Sequence, residues 1–442
     1  MAGSGGTTVK PRISERMVVL LIAAVHFINV LDFIMVIPLG PDFSRALKIP
    51  VSDVGYIAGS YTFAAAISGL IASTFLDRFD RRRALAVAML GLMSATLACG
   101  FAWNFESLMA ARILAGCFGG PAASLSMAII ADVIPPQRRG RAMGVVMGAF
   151  SIASVLGIPI GLELASRFAW NTPFFCVAAL GAVVAAAGLF FLPPMRIHFT
   201  HTMFVKKLRF WEVFTHRLPL LAYAGMVCMV MSMFLIIPNL PVYMLNNLGY
   251  KGEGWLDGAL ASVGAHLTPL GALYLFGGIV NLTFLLVFGR LTDRLGSTLV
   301  GALGNGLLVA ALFAGFVSHQ PWMTAPALFI VFMASGSLRG VAMQTLNSKV
   351  PRLEERAGFM SALSSVQHFF AGVGQFVAAK LTTQVADGPR KDDLVGMSTT
   401  AAVAIGFAVL ATVMIWVVDR GVRKRAAAMR VAPGEFPVEP AS

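Results

Sequence analysis

The stretch GRLTDRLG, from Gly289 to Gly296, ends one long apolar run and is followed within a few residues by another. An altered copy, STFLDRFDRRR from Ser73 to Arg83, occupies the same kind of place about half a chain earlier, with Asp77 opposite Asp293. Each copy predicts a tight, charged turn between two hydrophobic helices. A glycine permits close helix approach, an aspartate accepts hydrogen bonds at a helix end, and arginines stay in water beside anionic lipid.

The composition excludes an ordinary soluble domain. Hydrophobic residues make up 57% of the 442 residues and charged residues only 12%, whereas a soluble domain carries about a quarter. A net charge of +13 is also found in nucleic-acid-binding proteins, but the basic residues lie in short loops between apolar stretches. This pattern indicates a membrane protein with no nucleic-acid partner.

The four cysteines lie inside apolar segments and predict no disulfide framework: Cys99, Cys117, Cys176 and Cys228.

Twelve apolar stretches are long enough to cross a bilayer as helices, which predicts an all-α membrane protein. They cover residues 17–39, 53–75, 84–103, 107–133, 142–165, 173–193, 218–244, 268–290, 298–318, 324–347, 358–383 and 396–418. The polar start of the chain lacks the pattern of a removable signal peptide, so the first stretch is predicted to be a permanent span.

Lysine and arginine are unevenly divided between the two sides of these spans, in a ratio of roughly four to one. The basic side of a membrane protein is the cytoplasmic one. Both chain ends are therefore predicted to be cytoplasmic, in a multi-pass protein of the cell inner membrane. Four tryptophans fall at the predicted outer edges, as an interfacial belt requires: Trp103, Trp170, Trp255 and Trp322.

A second pair of segments shows that the chain is duplicated. VIPPQRRGRAMG, from Val133 to Gly144, matches VPRLEERAGFM, from Val350 to Met360, at nearly the same offset as the two turns. The prediction is a cytoplasmic start (1–16), two six-helix bundles (17–193 and 218–418), a cytoplasmic linker (194–217) and a cytoplasmic tail (419–442). Parallel repeats of this kind place a substrate cavity between the bundles near mid-membrane.

The two turns resemble the loops between spans two and three and between spans eight and nine of the major facilitator superfamily. The resemblance covers nearly the whole chain and implies two pseudo-symmetric bundles with a cytoplasmic charge network that closes the inner gate. We assign to that gate Asp77, Arg78, Arg82, Asp132, Gly289, Asp293 and Arg294. The first copy departs from the family pattern, because Ser73 and Asp80 stand where glycine is usual. The alternative is simple solvation of loop charges.

Ionisable residues inside spans are costly and therefore functional candidates. His26, Asn29 and Asp32 lie along one stripe of span one, and Arg112 of span four lies at a depth similar to that of Asp32. A contact between Asp32 and Arg112 would be a switchable charge, released when Asp32 is protonated. We predict proton coupling through Asp32, Arg112 and His26, with a fixed structural pair as the alternative.

Two further motifs carry the resemblance. RILAGCFGG, from Arg112 to Gly120, resembles the span-four motif of proton-coupled members, in which the arginine takes part in proton transfer. GAFSIASVLGIPIG resembles the span-five motif of exporters, and Gly157, Pro159 and Gly161 predict a kink there. Its order, G-x-P-x-G, is closer to arabinose-efflux-like permeases than to drug antiporters with G-P-x-x-G-G.

The predicted substrate cavity is lined by residues of both halves. They are Asn29, Met226, Met229, Met233, Arg339, Gln367 and His368. Arg339 has no obvious acidic partner in its half, which favours an anionic substrate or a partner from the first half. Methionines are soft ligands for Cu(I), but packing in an adaptable pocket explains them better, and we predict no metal site. Glu163 lies within reach of water near the outer end of span five, and we assign it no role.

These patterns predict a secondary transporter that works by alternating access. We expect a proton-coupled antiporter, monomeric and without cofactor, that exports small amphipathic organic compounds or sugars. The chain has no phosphate-binding Gly-Lys loop for ATP and no HExxH, GxSxG or facing carboxylate pair, so an intramembrane enzyme is not predicted. The alternatives are an importer of the same fold for a small anion or copper, and a membrane scaffold that transports nothing.

Overall fold

The structure, a computed structural model, describes residues 14–76, 79–192, 217–252, 255–262, 267–351, 356–385 and 392–431. Twelve long helices make up most of this part of the chain. The first six are α1 (Glu15–Ile34), α2 (Val54–Phe75), α3 (Arg81–Gly100), α4 (Phe105–Val133), α5 (Pro136–Ile152 and Ile158–Arg167, joined by the π-helical turn Ala153–Gly157) and α6 (Thr172–Phe191). The others are α7 (Arg217–Phe234), α8 (Pro269–Leu295), α9 (Ser297–Leu312, with a π-helical turn Phe313–Val317), α10 (Ala325–Asn347), α11 (Arg356–Leu381) and α12 (Met397–Val431).

Short elements connect the long helices. A short helix, Gly40–Leu47, follows α1, and another, Trp255–Ser262, precedes α8. Turns of 3-10 helix occur at Val51–Asp53 and Ile237–Asn239. Strands β1 (Thr383–Gln384) and β2 (Leu394–Val395) pair antiparallel between α11 and α12. Of the predicted linker, 194–217, only Arg217 lies within the described residues, and it begins α7. The predicted tail is helical through Val431, because α12 continues past 418.

Eleven of the described helices are long and apolar enough to span a membrane. The predicted span 358–383 corresponds to α11, which has 26 residues but is not among the eleven. Its polar side chains, including Ser364, Gln367 and Gln375, lower its hydropathy. A helix that faces a polar cavity on one side tolerates such residues.

The turn after α8 is shorter than predicted. Span eight was expected to end at 290, but α8 continues to Leu295, and Gly296 alone separates it from α9. Gly296 has φ +88° and ψ 150°, a conformation open mainly to glycine. The prediction that Gly289 permits close helix approach is wrong in this conformation, because a Cβ there would meet nothing within 4 Å.

The first turn is built differently, which explains its departure from the family pattern. Asp80 is the N-cap of α3, and its carboxylate accepts the backbone N–H of Arg82 at 2.9 Å. A carboxylate at a helix start satisfies a free donor and faces the positive end of the helix dipole. In place of the usual glycine, the first copy therefore has a capping residue.

We call α1–α6 the amino half and α7–α12 the carboxyl half. The halves meet along two seams, α2 with α11 and α5 with α8. At the second seam, a Cβ on Gly278 of α8 would lie 2.9 Å from the Cα of Val155 in the π-helical turn of α5. The backbones of the two halves therefore touch there, and a larger residue at Gly278 would force them apart.

Among the described residues, aromatic contacts between the halves lie toward one end of the bundle. We call the side at which α1 begins and α12 ends the terminal face, and the other the opposite face. Toward the opposite face, Phe63 of α2 packs edge-on against Phe369 of α11, with ring centroids 5.1 Å apart. Farther along the same stripe of α2, Ile67 and Ile71 are 51% and 56% exposed. The halves therefore part toward the terminal face.

Candidate transport site

The centre of the amino half holds a fully buried ion pair. Arg112 of α4 donates from Nη1 to Oδ2 of Asp32 of α1 at 3.0 Å, and both side chains have no exposed surface. Thr96 of α3 donates from Oγ1 to the other carboxylate oxygen, Oδ1, at 2.7 Å. The contact that the sequence indicated is present, and each oxygen of Asp32 has a donor. Charges buried in this way must be paired, because an isolated one is strongly disfavoured.

The guanidinium of Arg112 is also covered by an aromatic ring. Its Cζ lies 4.3 Å from the ring centroid of Tyr61 of α2, a cation–π distance. Phe33 of α1 stacks against Tyr61, with ring centroids 5.6 Å apart. Nε and Nη2 of Arg112 have no hydrogen-bond partner within the described residues. The hydrogen bond between the two charged side chains is therefore the one from Nη1 to Oδ2.

Two other predicted residues of α1 have different positions. Asn29 donates from Nδ2 to the carbonyl of Gly119 at 2.8 Å, and Tyr61 donates from its hydroxyl to Oδ1 of Asn29 at 3.4 Å. Asn29 thus touches the pair only through Tyr61 and cross-links α1 to α4. The structure does not bring His26 to the pair: its ring is half-buried, and Nδ1 has no hydrogen-bond partner in the described part of the chain.

Glycines of α4 set the distance between Arg112 and Tyr61. A Cβ on Gly116 would lie 2.8 Å from Cβ of Ala64 of α2, and one on Gly120 would lie 2.9 Å from Oγ of Ser68. The missing side chains let α4 and α2 pack backbone to backbone. This spacing places the ring of Tyr61 against the guanidinium.

The predicted kink in span five coincides with the π-helical turn Ala153–Gly157, which directly precedes Pro159. Proline and a π-bulge both interrupt the regular hydrogen-bond ladder of a helix. A Cβ on Gly157 would lie 2.5 Å from Cδ1 of Leu31, the neighbour of Asp32, whereas Gly161 is unobstructed, with its nearest atom at 4.0 Å. The interruption in α5 therefore lies directly against the ion-pair region.

The carboxyl half holds a buried arginine without an acid. Arg339 of α10 is 1% exposed and donates from Nε to Oδ1 of Asn305 at 2.6 Å, from Nη2 to the carbonyl of Met229 at 3.1 Å, and to Oγ of Ser232. All these partners are neutral. Nη1 has no hydrogen-bond partner among the described residues. A buried cation held only by neutral groups is a site that an anion would stabilise.

The remaining predicted cavity residues differ in exposure. Met226 is buried at 3% and packs within the carboxyl half, while Met229 and Met233 are half-buried. Gln367 of α11 is exposed, and Nδ1 of His368 lies 2.8 Å from the carbonyl of Ser364 one turn earlier. No group of three or more His, Cys, Asp or Glu that could hold a metal ion occurs within the described ranges.

The charges of the predicted inner gate are partly described. Arg81 of α3 pairs with Asp132 of α4 at 2.6 Å, and Arg82 donates from Nη1 to the carbonyl of Leu192 at 3.1 Å. Both contacts lie within the amino half, so they tie its helices together and do not bridge the halves. Asp77 and Arg78 lie outside the described residues, as does the side chain of Asp293, and Arg294 is exposed.

A cavity of about 650 Å³ opens at the opposite face, between the halves. Its lining includes Asp42 and Arg45 after α1, Trp170 after α5, and Thr268 and Leu270 at the start of α8. Burial raises the pKa of the Asp42 carboxyl above its ordinary range, although Arg45, 2.6 Å away, acts in the opposite sense.

Next to this cavity lies a contact that the sequence did not indicate. Glu163 of α5, which we assigned no role, accepts the backbone N–H of Thr268 through Oε1. Thr268 belongs to the carboxyl half. No sequence signal could have shown this contact, because it joins residues 105 positions apart whose proximity depends on how the halves dock.

Twelve long helices in two halves, with a fully buried ion pair in one half, define a polytopic membrane protein. A sequence model described as Major Facilitator Superfamily matches residues 22–379, and the chain belongs to this family. It is a transporter and not an enzyme.

Three known proteins illustrate the relationship. The chain is 23% identical over 365 residues to YceJ, an uncharacterized MFS-type transporter of Bacillus subtilis (strain 168). The matched region covers 82% of this chain and 88% of YceJ. It is 28% identical over 275 residues to the chloramphenicol efflux pump Rv0191 of Mycobacterium tuberculosis (strain ATCC 25618 / H37Rv), covering 61% of this chain and 65% of the pump. A bacterial homolog to the human lysosomal transporter Spinster, solved in an inward-facing and unoccupied conformation, superposes with a TM-score of 0.69 at 15% identity over 93% of this chain and 99% of that one.

Proposed function

We propose that the chain is a proton-coupled antiporter that exports small amphipathic organic compounds. The observation that carries the proposal is the fully buried pair of Asp32 and Arg112, whose one direct bond is 3.0 Å long. A proton that binds Asp32 converts the carboxylate to a neutral acid and removes the attraction that holds Arg112. Arg112 is then free to use its two unpartnered nitrogens elsewhere. One proton thereby changes the contacts among α1, α3 and α4.

The kinked helix α5 provides the route from this pair to the other half. Leu31, beside Asp32, packs into the space that Gly157 leaves in α5. The same π-helical turn touches α8 of the carboxyl half through Val155 and Gly278. We propose that rearrangement at Asp32 shifts this seam, so that bundles 17–193 and 218–418 rock about the seams that join them. The protein works as a monomer in this mechanism.

The orientation follows from the distribution of basic residues. The terminal face carries most of the lysines and arginines, so we take it as cytoplasmic, in the inner membrane, with both chain ends inside. The halves then part toward the cytoplasm, where an exporter loads its substrate. Similarity to a chloramphenicol efflux pump supports export and suggests chloramphenicol as the first compound to test.

A second candidate, import of a small anion, rests on Arg339. Its guanidinium has neutral partners and one nitrogen without a hydrogen-bond partner, as an anion site in the carboxyl half would require. The same observation fits export of compounds that carry a carboxylate. The direction of transport distinguishes the two candidates.

The test uses the purified 442-residue chain in proteoliposomes with an internal pH dye. Addition of chloramphenicol should drive proton movement in the parent protein and none in Asp32→Asn. Because Asp32→Asn leaves Arg112 unpaired, the double variant Asp32→Asn, Arg112→Gln serves as a second, charge-balanced uncoupled form. Asp419→Asn, at the terminal face and away from the pair, is the matched control and should couple normally. Normal coupling by folded Asp32→Asn would refute the assignment of Asp32.

A further inference from the structure

Glu163 makes an unusual contact between the halves near the opposite face. Its side chain is 16% exposed and accepts a hydrogen bond from Nε of Arg167, one turn later in α5, at 3.0 Å through Oε2. Its other oxygen, Oε1, accepts the backbone N–H of Thr268. Thr268 is the N-cap of α8, and its own Oγ1 accepts the N–H of Gly271 at 3.2 Å. A carboxylate of the amino half thus completes the cap of a helix in the carboxyl half.

The start of α8 is a favourable place for a negative charge. The first N–H groups of a helix have no partners within the helix, and its dipole makes this end positive. With 27 residues, α8 is long enough for this dipole to be fully developed. The bond from Thr268 to Glu163 is therefore strengthened by the carboxylate charge, and a neutral acid at this position would hold the helix less tightly.

The ion pairs in the described part of the chain, including Glu163 with Arg167 and Asp32 with Arg112, stay within one half. The described bond from Val51 to Gln384, which also crosses between the halves, involves neutral groups. Within the described residues, Glu163 is thus the titratable side chain whose hydrogen bond holds the halves together at the opposite face. Its partial exposure lets protons from that side reach it.

We propose that Glu163 is a positioning residue that latches the two halves together at the outer face and is released by a proton from outside. The inference rests on the proposed function, which makes the opposite face the outer one. Protonation places an O–H on the carboxyl, neutralises it and weakens both the bond to Thr268 and the pair with Arg167. The start of α8 then separates from α5 more readily, which opens the path for a proton to reach Asp32.

The effects of other charged groups near Glu163 must be distinguished from the effect of Glu163 itself. Arg167 shares its helix, and Asp42 and Arg45 line the adjacent cavity. His266 precedes Thr268 by two positions and lies outside the described residues. Arginine side chains are charged at all relevant pH values, so Asp42 and His266 are the groups to control.

The experiment measures the distance across the outer face by paired spin labels. Ala46→Cys and Ser398→Cys, both at exposed positions of that face, are introduced into a chain whose four cysteines are replaced by serine. Distances are recorded in nanodiscs at a pH of about 7.5 and about 3.5, which lie on either side of the ordinary pKa of a glutamate side chain. We expect the population with the long distance to rise roughly two- to fivefold at low pH. This is the change in an equilibrium that follows from losing one charge at a helix end.

Variants at Glu163 decide the outcome. Glu163→Gln should show the raised population at both pH values, and Glu163→Asp should restore the pH response. Asp42→Asn and His266→Ala should leave the response intact. A normal pH response in Glu163→Gln, or its loss in His266→Ala or Asp42→Asn, overturns the latch. The distances do not depend on transport, so repeating them in Asp32→Asn keeps a failed latch separate from a failed antiport mechanism.

Discussion

Ser232 of α7 occupies the place that Asp32 occupies in α1, and each side chain contacts a buried arginine of the same half. The register follows from Ile37-Pro38-Leu39-Gly40-Pro41, which recurs 200 positions later as Ile237-Pro238-Asn239-Leu240-Pro241. Arg112 bonds Asp32, and Arg339 bonds Ser232. Each duplicated half thus has a buried arginine. The partner position holds an acid, Asp32, in the amino half and a neutral serine, Ser232, in the carboxyl half. We infer that the amino half carries the coupling proton and the carboxyl half offers an unneutralised positive charge.

Removal of either member of the buried pair should destabilise the protein. Asp32→Asn and Arg112→Gln leave an unpaired buried group, and each should lower the free energy of unfolding by roughly 3–5 kcal/mol. The double variant should recover most of that loss, because no buried charge remains. Thermal or denaturant unfolding in detergent micelles, analysed as a double-mutant cycle, measures the coupling. Additive losses would show that the two side chains do not interact as the structure indicates.

A side chain at Gly296 should lower the stability of the protein. Its φ of +88° with ψ 150° is strained for any other residue, so Gly296→Ala should cost roughly 1–3 kcal/mol of stability. Gly289→Ala, in the same stretch but in open space, is the matched control and should be neutral or slightly stabilising. Unfolding midpoints of the two variants give the comparison. Equal effects would mean that the turn between α8 and α9 relaxes around an alanine.

Arg339 should select substrates by charge. Arg339→Gln removes the positive charge, and transport of a carboxylate-bearing substrate should fall by about tenfold or more, the loss expected for a charged hydrogen bond. A neutral compound carried by the same protein should lose much less. Asn305→Ala, which removes a partner of Arg339 but keeps its charge, controls for helix packing. Equal losses for charged and neutral substrates would assign Arg339 a purely structural role.

Asp42 should make stability depend on pH. Burial raises the pKa of this carboxyl above its ordinary value, so the folded state binds the proton more tightly than the unfolded state. Its contribution to stability is present at acid pH and is lost as pH rises through the raised pKa. Asp42→Asn should therefore raise the melting temperature more at a pH of about 7 than at about 4.

The control for this effect is Arg45→Gln. Arg45 favours the ionised form of Asp42, so its removal should lower stability near neutral pH. The effect should be small, because 76% of the Arg45 side chain is exposed. A stability gain in Asp42→Asn that is equal at both pH values would show that burial does not control this group.

Much of the candidate site was accessible from the sequence. Asp32 and Arg112 stood out because ionisable residues are rare in apolar spans, and their similar depth indicated the contact that the structure contains. His26 lies on the same stripe of α1 as Asp32, but a shared stripe does not determine which way a ring points, and the structure does not bring His26 to the pair. The position of Glu163 at a water-accessible helix end led us to dismiss a residue that joins the halves.

The sequence by itself predicted the long apolar segments, a duplication of the chain and the side on which basic residues collect. These properties depend on the transfer of local segments into lipid. The free energy of that transfer is set by the composition of each segment and not by its tertiary contacts. Tertiary structure alone decided that Glu163 caps α8, that Arg339 is held by neutral groups, and that the halves part toward the terminal face. Those relationships depend on how distant helices dock, and in lipid this docking is driven by shape and by scattered polar contacts that no hydrophobic pattern encodes.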